Sequence, residues 1–444
     1  MPKKLRFFTA YFVHYFKKYI LAIVFGIIFG SVVYVERSQL FRLYQTLSPP
    51  RTDIGIEGIY TIKTLPVSVL NQISPGLTSI SENNKSILSP IVKNLAISDN
   101  NLTYTFTLND NLTWQNGKKL NVSDIEINIP QTKTSAVNNN TLKITTSESF
   151  SPLLSTLSKP IFIKDSLVGL GEYKVTSTAY QDGHIKLLRL TSTINNQKIN
   201  YHFYPNSTDL LNAFKLGEVN EIYSNTLDNQ LDAWPKIKIS PSISASSYLA
   251  VFLNTEKISN KQDRQALAYA TPKTEDKNIR SLGPISPNSW AYNPQIKPYN
   301  YNPTRAKELF EKEGLTQIKL TIADRKLLTL GEAIKKSWEE TLGIKVTISI
   351  STGPINPSDY EALIAYSAIS PDPDQYSLWH STQTLTNITS FNNSRIDKLL
   401  EEGRQVQDQQ ERKKIYYDFQ KFLLEESPAI FLEFPTTYII SRVK

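Results

Sequence analysis

The stretch Asn101–Ile129, NLTYTFTLNDNLTWQNGKKLNVSDIEINI, carries more structural information than any other part of the chain. Leu102, Tyr104, Phe106 and Leu108 alternate with Thr103, Thr105 and Thr107. A period of two built from aromatic and β-branched residues predicts a half-buried strand. Asn109, Asp110 and Asn111 supply turn chemistry, and Leu112 and Trp114 begin a second short apolar run. Asn116-Gly117 is a hairpin signal, because both residues tolerate positive φ. Ser123 or Asp124 is the expected cap of the next element.

Outward from that stretch, strand-like runs dominate as far as about Ile239, separated by Asn, Ser, Gly and Pro. Helices appear after Lys261. Gln262–Ala270 places Ala266, Leu267 and Ala270 on one face and ends before Pro272. Pro303 opens a helix that Gly314 is expected to close. Ile318–Ile322 and Ile344–Ile350 read as strands around an amphipathic helix, Leu330–Leu342, with Gly343 as its C-cap. This β-α-β alternation implies an α/β lobe. Helices over Ser394–Val406 and Gln409–Glu425 precede two last strands, Ala429–Phe434 and Tyr438–Ile440.

The chain has 444 residues, 40% hydrophobic and 20% charged, enough for two lobes and a large core. Its net charge is +8, with Lys3, Lys4, Arg6, Lys17 and Lys18 all ahead of the first apolar run. No RNA-binding, zinc-finger or basic-helix pattern is present, so nucleic acid is not an expected partner. The absence of cysteine excludes disulfides, thiolate metal sites, a cysteine nucleophile and a lipidated cysteine anchor. His14, His184, His202 and His380 are scattered without metal-ligand spacing, and no cofactor is expected. Nucleophile-elbow, zinc-protease, P-loop and dinucleotide-binding fingerprints are all missing. Carboxylate pairs such as Glu339-Glu340 and Glu401-Glu402 read as solvated helix faces, so no catalytic residue is assigned.

Residues Tyr19–Val35, YILAIVFGIIFGSVVYV, carry no charge. At 1.5 Å per residue a helix here spans roughly 25 Å, near the lower limit for a membrane crossing. Basic residues precede it and Glu36 comes after it, which orients the N-terminus toward the cytoplasm. No A-x-A site follows, so an uncleaved anchor is read in preference to a cleaved signal peptide. The expected organisation is a basic cytoplasmic segment (1–18), a transmembrane anchor (19–35), a juxtamembrane linker (36–53) and an extracytoplasmic domain (54–444).

The order Tyr-x-Phe-x-Leu, polar turn, Trp, Asn-Gly-Lys-x-Leu, Ser-Asp within Asn101–Ile129 resembles the signature of the family 5 extracellular solute-binding proteins. Further fragments occur in the family's order. They are Ile73-Ser74-Pro75-Gly76-Leu77, Val168–Tyr173 (VGLGEY), Asp209–Val219 (DLLNAFKLGEV), Tyr248–Thr255 (YLAVFLNT) with Asp263–Ala270, Tyr301–Gly314, Tyr366–Tyr376 (YSAISPDPDQY) and Pro428–Leu432 (PAIFL). Leu170 and Glu172 depart from the family's Gly-Thr-Gly-Pro-Tyr turn.

This resemblance implies a two-lobed, type II periplasmic-binding-protein-like α/β fold. Lobe 1 is expected over about 54–247 plus 428–444, and lobe 2 over about 248–427. Tyr248–Thr255 and Ala429–Phe434 are the expected crossing strands. The family's small extra subdomain near the N-terminus is expected to be shortened or absent. The implied function is capture of a peptide or other small solute by cleft closure and delivery to the permease and ATPase subunits of an ABC importer, by a monomer. A sensor or adhesion module of the same fold is the alternative, and a membrane-anchored hydrolase a more distant one.

Tyr366 and the loop Asp372-Pro373-Asp374 are the leading cleft candidates. The other reading is an ordinary loop before a helix, with Asp374 as its cap. In peptide-binding relatives an acidic residue just before this loop pairs with the peptide's ammonium group; that position falls on Ile369 here, which puts the standard peptide ligand in question. Arg325 lies where some relatives carry an arginine that meets the ligand carboxylate, or is an exposed loop arginine. Asn254 either lines the cleft near the hinge or forms a structural turn. Tyr248 and Trp379 are cleft aromatics or core aromatics.

Overall fold

The computed structural model describes residues 50–443 except 82–84, 226, 228–230, 232–233, 245, 311–313, 352 and 354, together with residues 18–20, 24–25, 30–31, 34 and 36. Nearly all of the expected segment 1–18 and much of the anchor 19–35 and the linker 36–53 lie outside the described residues. Among the described residues no helix is long and apolar enough to cross a membrane. The first strand begins at Arg51, three residues before the expected start of the domain.

Two large sheets organise the chain. The first has seven strands in the spatial order Ile237–Ile243, Thr436–Arg442, Glu221–Ser224, Arg51–Glu57, Lys198–Tyr204, His184–Ser192, Tyr173–Gln181. Arg51–Glu57 runs parallel to both of its neighbours. The second has five strands in the order Lys345–Ile350, Gln317–Ile322, Ala362–Ala368, Ser247–Leu253, Ala429–Glu433, the first three mutually parallel. Each sheet has its own apolar core. The chain crosses from the first sheet to the second around Ser244 and Ser246 and returns through Phe434-Pro435. The crossings lie side by side, with the Ser244 N–H donating to the Pro435 carbonyl at 2.8 Å. Ser247–Leu253 and Ala429–Glu433 are therefore strands of the second lobe, and the crossings sit at their ends. The return falls at 434–435 rather than at 428.

The stretch Asn101–Ile129 forms part of a third unit. Val92–Ser98, Thr103–Leu108, Thr141–Thr146 and Thr132–Asn138 make a four-stranded antiparallel sheet inserted between strands of the first lobe. Tyr104, Phe106 and Leu108 are buried, as their alternation requires, in a separate core with Trp114, Leu142 and Ile144. An inserted subdomain is thus present, so of the two expectations a missing one is excluded. Asn116-Gly117 forms the tight turn, with Gly117 at φ +85° and its N–H donating to the Trp114 carbonyl at 2.8 Å. The cap sits at Asn121, earlier than expected: its side chain accepts the Ser123 N–H ahead of a single turn, Val122–Asp124.

Two of the sequence fragments meet in space. A Cβ on Gly169 or Gly171 would lie 2.5 or 2.7 Å from the Ile73 carbonyl oxygen, too close for any side chain. Gln115 Nε2 fastens the junction, donating to the carbonyls of Ile73, Gly171 and Tyr173 at 2.9–3.0 Å. In the second lobe, Gly331 lets the helix Leu328–Leu342 lie directly on Ile322 and Ile364. Asn302 caps the helix Pro303–Leu309, which ends before the expected Gly314. Gly343 is the left-handed C-cap read from the sequence.

Candidate functional site

Ligands of open α/β sheets sit beyond the carboxyl ends of parallel strands. In this chain those ends face each other across the hinge. Glu57 ends the central strand of the first sheet, Tyr366 lies near the end of Ala362–Ala368, and Lys326 comes just after Gln317–Ile322. Between them lies a cavity of about 630 Å³ lined from both lobes, by Glu57, Tyr60, Tyr201 and Tyr223 on one side, Tyr366 on the other and Ser244 and Ser246 at the crossing.

Local structure positions each group. Gly58, at φ +130°, turns the chain after Glu57, and its N–H donates to the Tyr204 carbonyl at 2.7 Å. Tyr60 folds back, donating its hydroxyl to the Glu57 carbonyl at 2.8 Å and packing its ring 5.1 Å from Phe203. Asp324 accepts the Lys326 N–H and so fixes the turn Arg325–Leu327. From that turn Lys326 reaches across the cleft to the carboxylate of Glu57. This ion pair joins the lobes directly. A second junction lies farther out, where the Ser151 N–H donates to the Arg404 carbonyl at 2.7 Å.

The cavity's phenols stay protonated at neutral pH and serve as hydrogen-bond donors. Burial, with Glu57 nearby, raises Tyr60; burial, with Glu221 nearby, pushes Tyr223 up to about 12. Tyr366 is raised by burial and by the carboxylates of Glu433 and Asp324. Burial alone raises the carboxyl of Glu433, on the strand leading to the second crossing. A smaller cavity of about 430 Å³ adjoins at the hinge and shares Ser244, Ser246 and Thr437; serines, prolines and Ile369 line it, with no charged group among the described residues. Among the described residues no three His, Asp or Glu side chains are grouped to hold a metal ion. Hydroxyls, the amides of Gln72 and Asn225 and one paired carboxylate suit hydrogen bonding to a polar solute.

Of the residues singled out from the sequence, Tyr366 and Ile369 line these cavities. Asp372 and Asp374 do not line either cavity and are held in ion pairs within the second lobe. Asp372 is buried and holds Arg412 at 2.8 and 3.2 Å. Asp374 holds Arg404 at 2.8–3.1 Å and also accepts the Tyr376 N–H at the start of the helix Tyr376–Trp379. Tyr248 and Trp379 are core aromatics packed around Phe431, because their strand and helix face the second lobe's interior. Asn254 is the structural turn: its amide donates to the Pro357 carbonyl and its oxygen accepts the N–H groups of Glu256 and Lys257. Arg325 is exposed, and its neighbour Lys326 makes the interlobe contact. Glu57, Tyr60, Tyr201 and Tyr223 also line the hinge cavity, and no sequence motif singles them out. The usable signal was a carboxylate closing an apolar strand immediately before a glycine.

Residues 87–387, more than half of the chain, match the bacterial extracellular solute-binding proteins, family 5 (middle region). The chain belongs to this family. Among relatives, haem-binding protein A of Haemophilus influenzae is 27% identical over 217 residues, covering 41% of this chain and 38% of that protein. The dipeptide-binding protein DppE of Bacillus subtilis is 23% identical over 445 residues, covering 81% of each. Among solved structures, NikZ from Campylobacter jejuni in complex with Ni(L-His) superposes with a TM-score of 0.74 at 20% identity, over 88% of this chain and 94% of that one. The two-lobed α/β fold is thus shared. As a family 5 solute-binding protein, the chain is a binding protein and not an enzyme.

Proposed function

We propose that this family 5 protein captures a peptide or a similar small polar solute in the hinge cavity, closes over it and delivers it to the permease and ATPase subunits of an ABC importer. The observation that carries this reading is the cavity lined from both lobes, with Glu57 of its lining paired to Lys326 of the second lobe. Closure excludes water, and hydrogen bonds from Tyr366 and the hinge serines to peptide amides then gain weight in the lower dielectric. DppE, whose name records dipeptide binding, matches along most of both chains, which favours a peptide-like solute. The apolar segment 19–35 supports tethering to the membrane, with the binding domain outside it, acting as a monomer.

Calorimetry and thermal-shift screening of the chain against peptide pools test the binding role. Saturable binding with stabilisation is expected; no response to any peptide or other small solute would overturn it. The intact mass of membrane-extracted protein tests the anchor, and a species lacking residues 1–35 would refute it.

A further inference from the structure

The smaller hinge cavity, of about 430 Å³, has an open rim and a sealed floor. Its rim comes from the first crossing, with Ser244 and Ser246, and from the facing loop, with Ser370 and Pro371. The two sides are tied together, since the Ile369 N–H donates to the Ser246 carbonyl at 2.7 Å. The floor belongs to the second lobe. There Ile285, Ser286 and Gln375 are at most 2% exposed.

Two donors on that floor are unspent. Gln375 Oε1 accepts the Trp379 Nε1–H at 3.2 Å. An indole nitrogen can only donate, so the amide oxygen is fixed on the tryptophan side and the NH2 group is left for the cavity. Among the described residues nothing accepts from that NH2 group. Ser286 Oγ accepts the Asn288 N–H at 3.3 Å, and among the described residues nothing accepts from its hydroxyl. Buried polar groups are ordinarily paired, so two donors at the bottom of one cavity point to an acceptor that comes from outside the chain. No charged side chain lines the cavity among the described residues. Asp372, which lies between Pro371 and Pro373 of the lining, is held by Arg412 at 2.8 and 3.2 Å.

We infer that this cavity is a specificity subsite for an uncharged carboxamide, the side chain of a glutamine or asparagine on a peptide held at the hinge. The inference rests on the reading of the chain as a peptide-binding protein, and it names a preference for that ligand. The smaller cavity shares Ser244, Ser246 and Thr437 with the larger one, so a peptide in the larger cavity lies within reach of it. A carboxylate or ammonium entering the space loses its hydration and meets no opposite charge. An aliphatic or thioether side chain leaves the two floor donors unpaired. A carboxamide avoids both losses: its oxygen accepts from the floor, and its NH2 group donates to the rim hydroxyls.

The test is calorimetric titration of the full-length chain with alanine pentapeptides that carry one substituted residue, moved through the five positions. Glutamine is compared with methionine and glutamate, and asparagine with leucine and aspartate. At one position at least, the carboxamide peptide is expected to bind about tenfold more tightly than both of its counterparts. Gln375→Met keeps the side chain's length and turns a sulfur, a weak acceptor, toward Trp379, but it has no donor. In that variant the preference for the carboxamide over its apolar counterpart should shrink to about twofold. An unchanged melting temperature checks that the variant folds. If Gln375→Met melts early, Ser286→Ala decides, with the preference expected to fall about threefold. Peptide binding with no carboxamide preference at any position, or a preference that the deciding variant leaves intact, overturns the inference alone. If no pentapeptide binds the wild type, the peptide reading fails and this inference falls with it.

Discussion

Asp372→Asn separates a ligand contact from a structural ion pair. In the structure Asp372 and Arg412 are both buried and meet through two hydrogen bonds, at 2.8 and 3.2 Å. The Arg412 guanidinium also donates to the Gly403 carbonyl at 2.9 Å and lies 5.3 Å from the Trp290 ring centre. Removing the carboxylate charge leaves a guanidinium that water cannot reach, and breaking such a pair from one side costs about 3–5 kcal/mol. Unfolding entropy is about 2.1 cal/mol/K per residue, so roughly 390 folded residues give about 0.8 kcal/mol/K. The melting temperature should therefore fall by about 4–6 °C in differential scanning calorimetry, taking the domain to unfold as one unit. Adding Arg412→Met, which removes the orphaned charge, should restore part of the loss. Affinity for the bound solute should stay within about twofold, because neither side chain lines a hinge cavity. An unchanged melting temperature with binding abolished would overturn the structural role and return Asp372 to the ligand site.

Lys326→Ala removes the ion pair with Glu57, whose side chains are 44% and 23% exposed, so screening limits the loss to about 0.2–1 kcal/mol. Solute dissociation in stopped flow should accelerate up to about fivefold, and the gap from wild type should close in 1 M salt; equal rates at low salt would refute the latch. Burial raises the carboxyl of Asp53, but hydrogen bonds from Arg51, Asn200 and His202 outweigh it and hold that carboxyl below its usual range. Its stabilisation is then present above pH about 4 and lost as pH falls through the lower folded value. Asp53→Asn should accordingly lower stability at pH 7 and cost progressively less toward pH about 2, as measured by denaturant midpoints. Glu433 has the opposite sign, because burial raises its folded value. Its ionisation disfavours the fold increasingly as pH rises through that value, so Glu433→Gln should stabilise the chain at pH 7 and have no effect near pH 4. Gly169→Ala places a methyl group 2.5 Å from the Ile73 carbonyl and should destabilise the junction below the inserted sheet, read as faster hydrogen exchange around Ile73 and Gln115.

Local pattern was enough for the elements whose physics is local. Tyr104, Phe106 and Leu108 announce a strand by alternation, Asn116-Gly117 a tight turn by its tolerance of positive φ, and Gly343 a helix end. Glycines such as Gly169 could be seen but not explained, because the backbone that forbids them a side chain is Ile73, far away in sequence. The same limit applies to the site. Asp372 and Asp374 stand in a polar loop that looks ready for a ligand, yet their partners lie 40 and 30 residues downstream on helices whose inward faces were not known. Arg325 stands in the stretch that the sequence marks, while Lys326, beside it, pairs across the cleft with a carboxylate 269 residues away. Pairing at such range depends on how two sheets are set against each other, and strand periodicity does not record it.

Capture between the lobes is tested most sharply by calorimetric titration of the full-length chain with a defined peptide pool, run in parallel on Ser247→Trp. Ser247 is half-buried and lines the same cavity as Tyr60 and Tyr366, so an indole in its place is expected to fill part of that space. One saturable site per chain in the wild type, lost in the variant while its melting temperature is kept, is the expected result. Absence of binding to the wild type, or equal binding by both proteins, would contradict capture at the hinge.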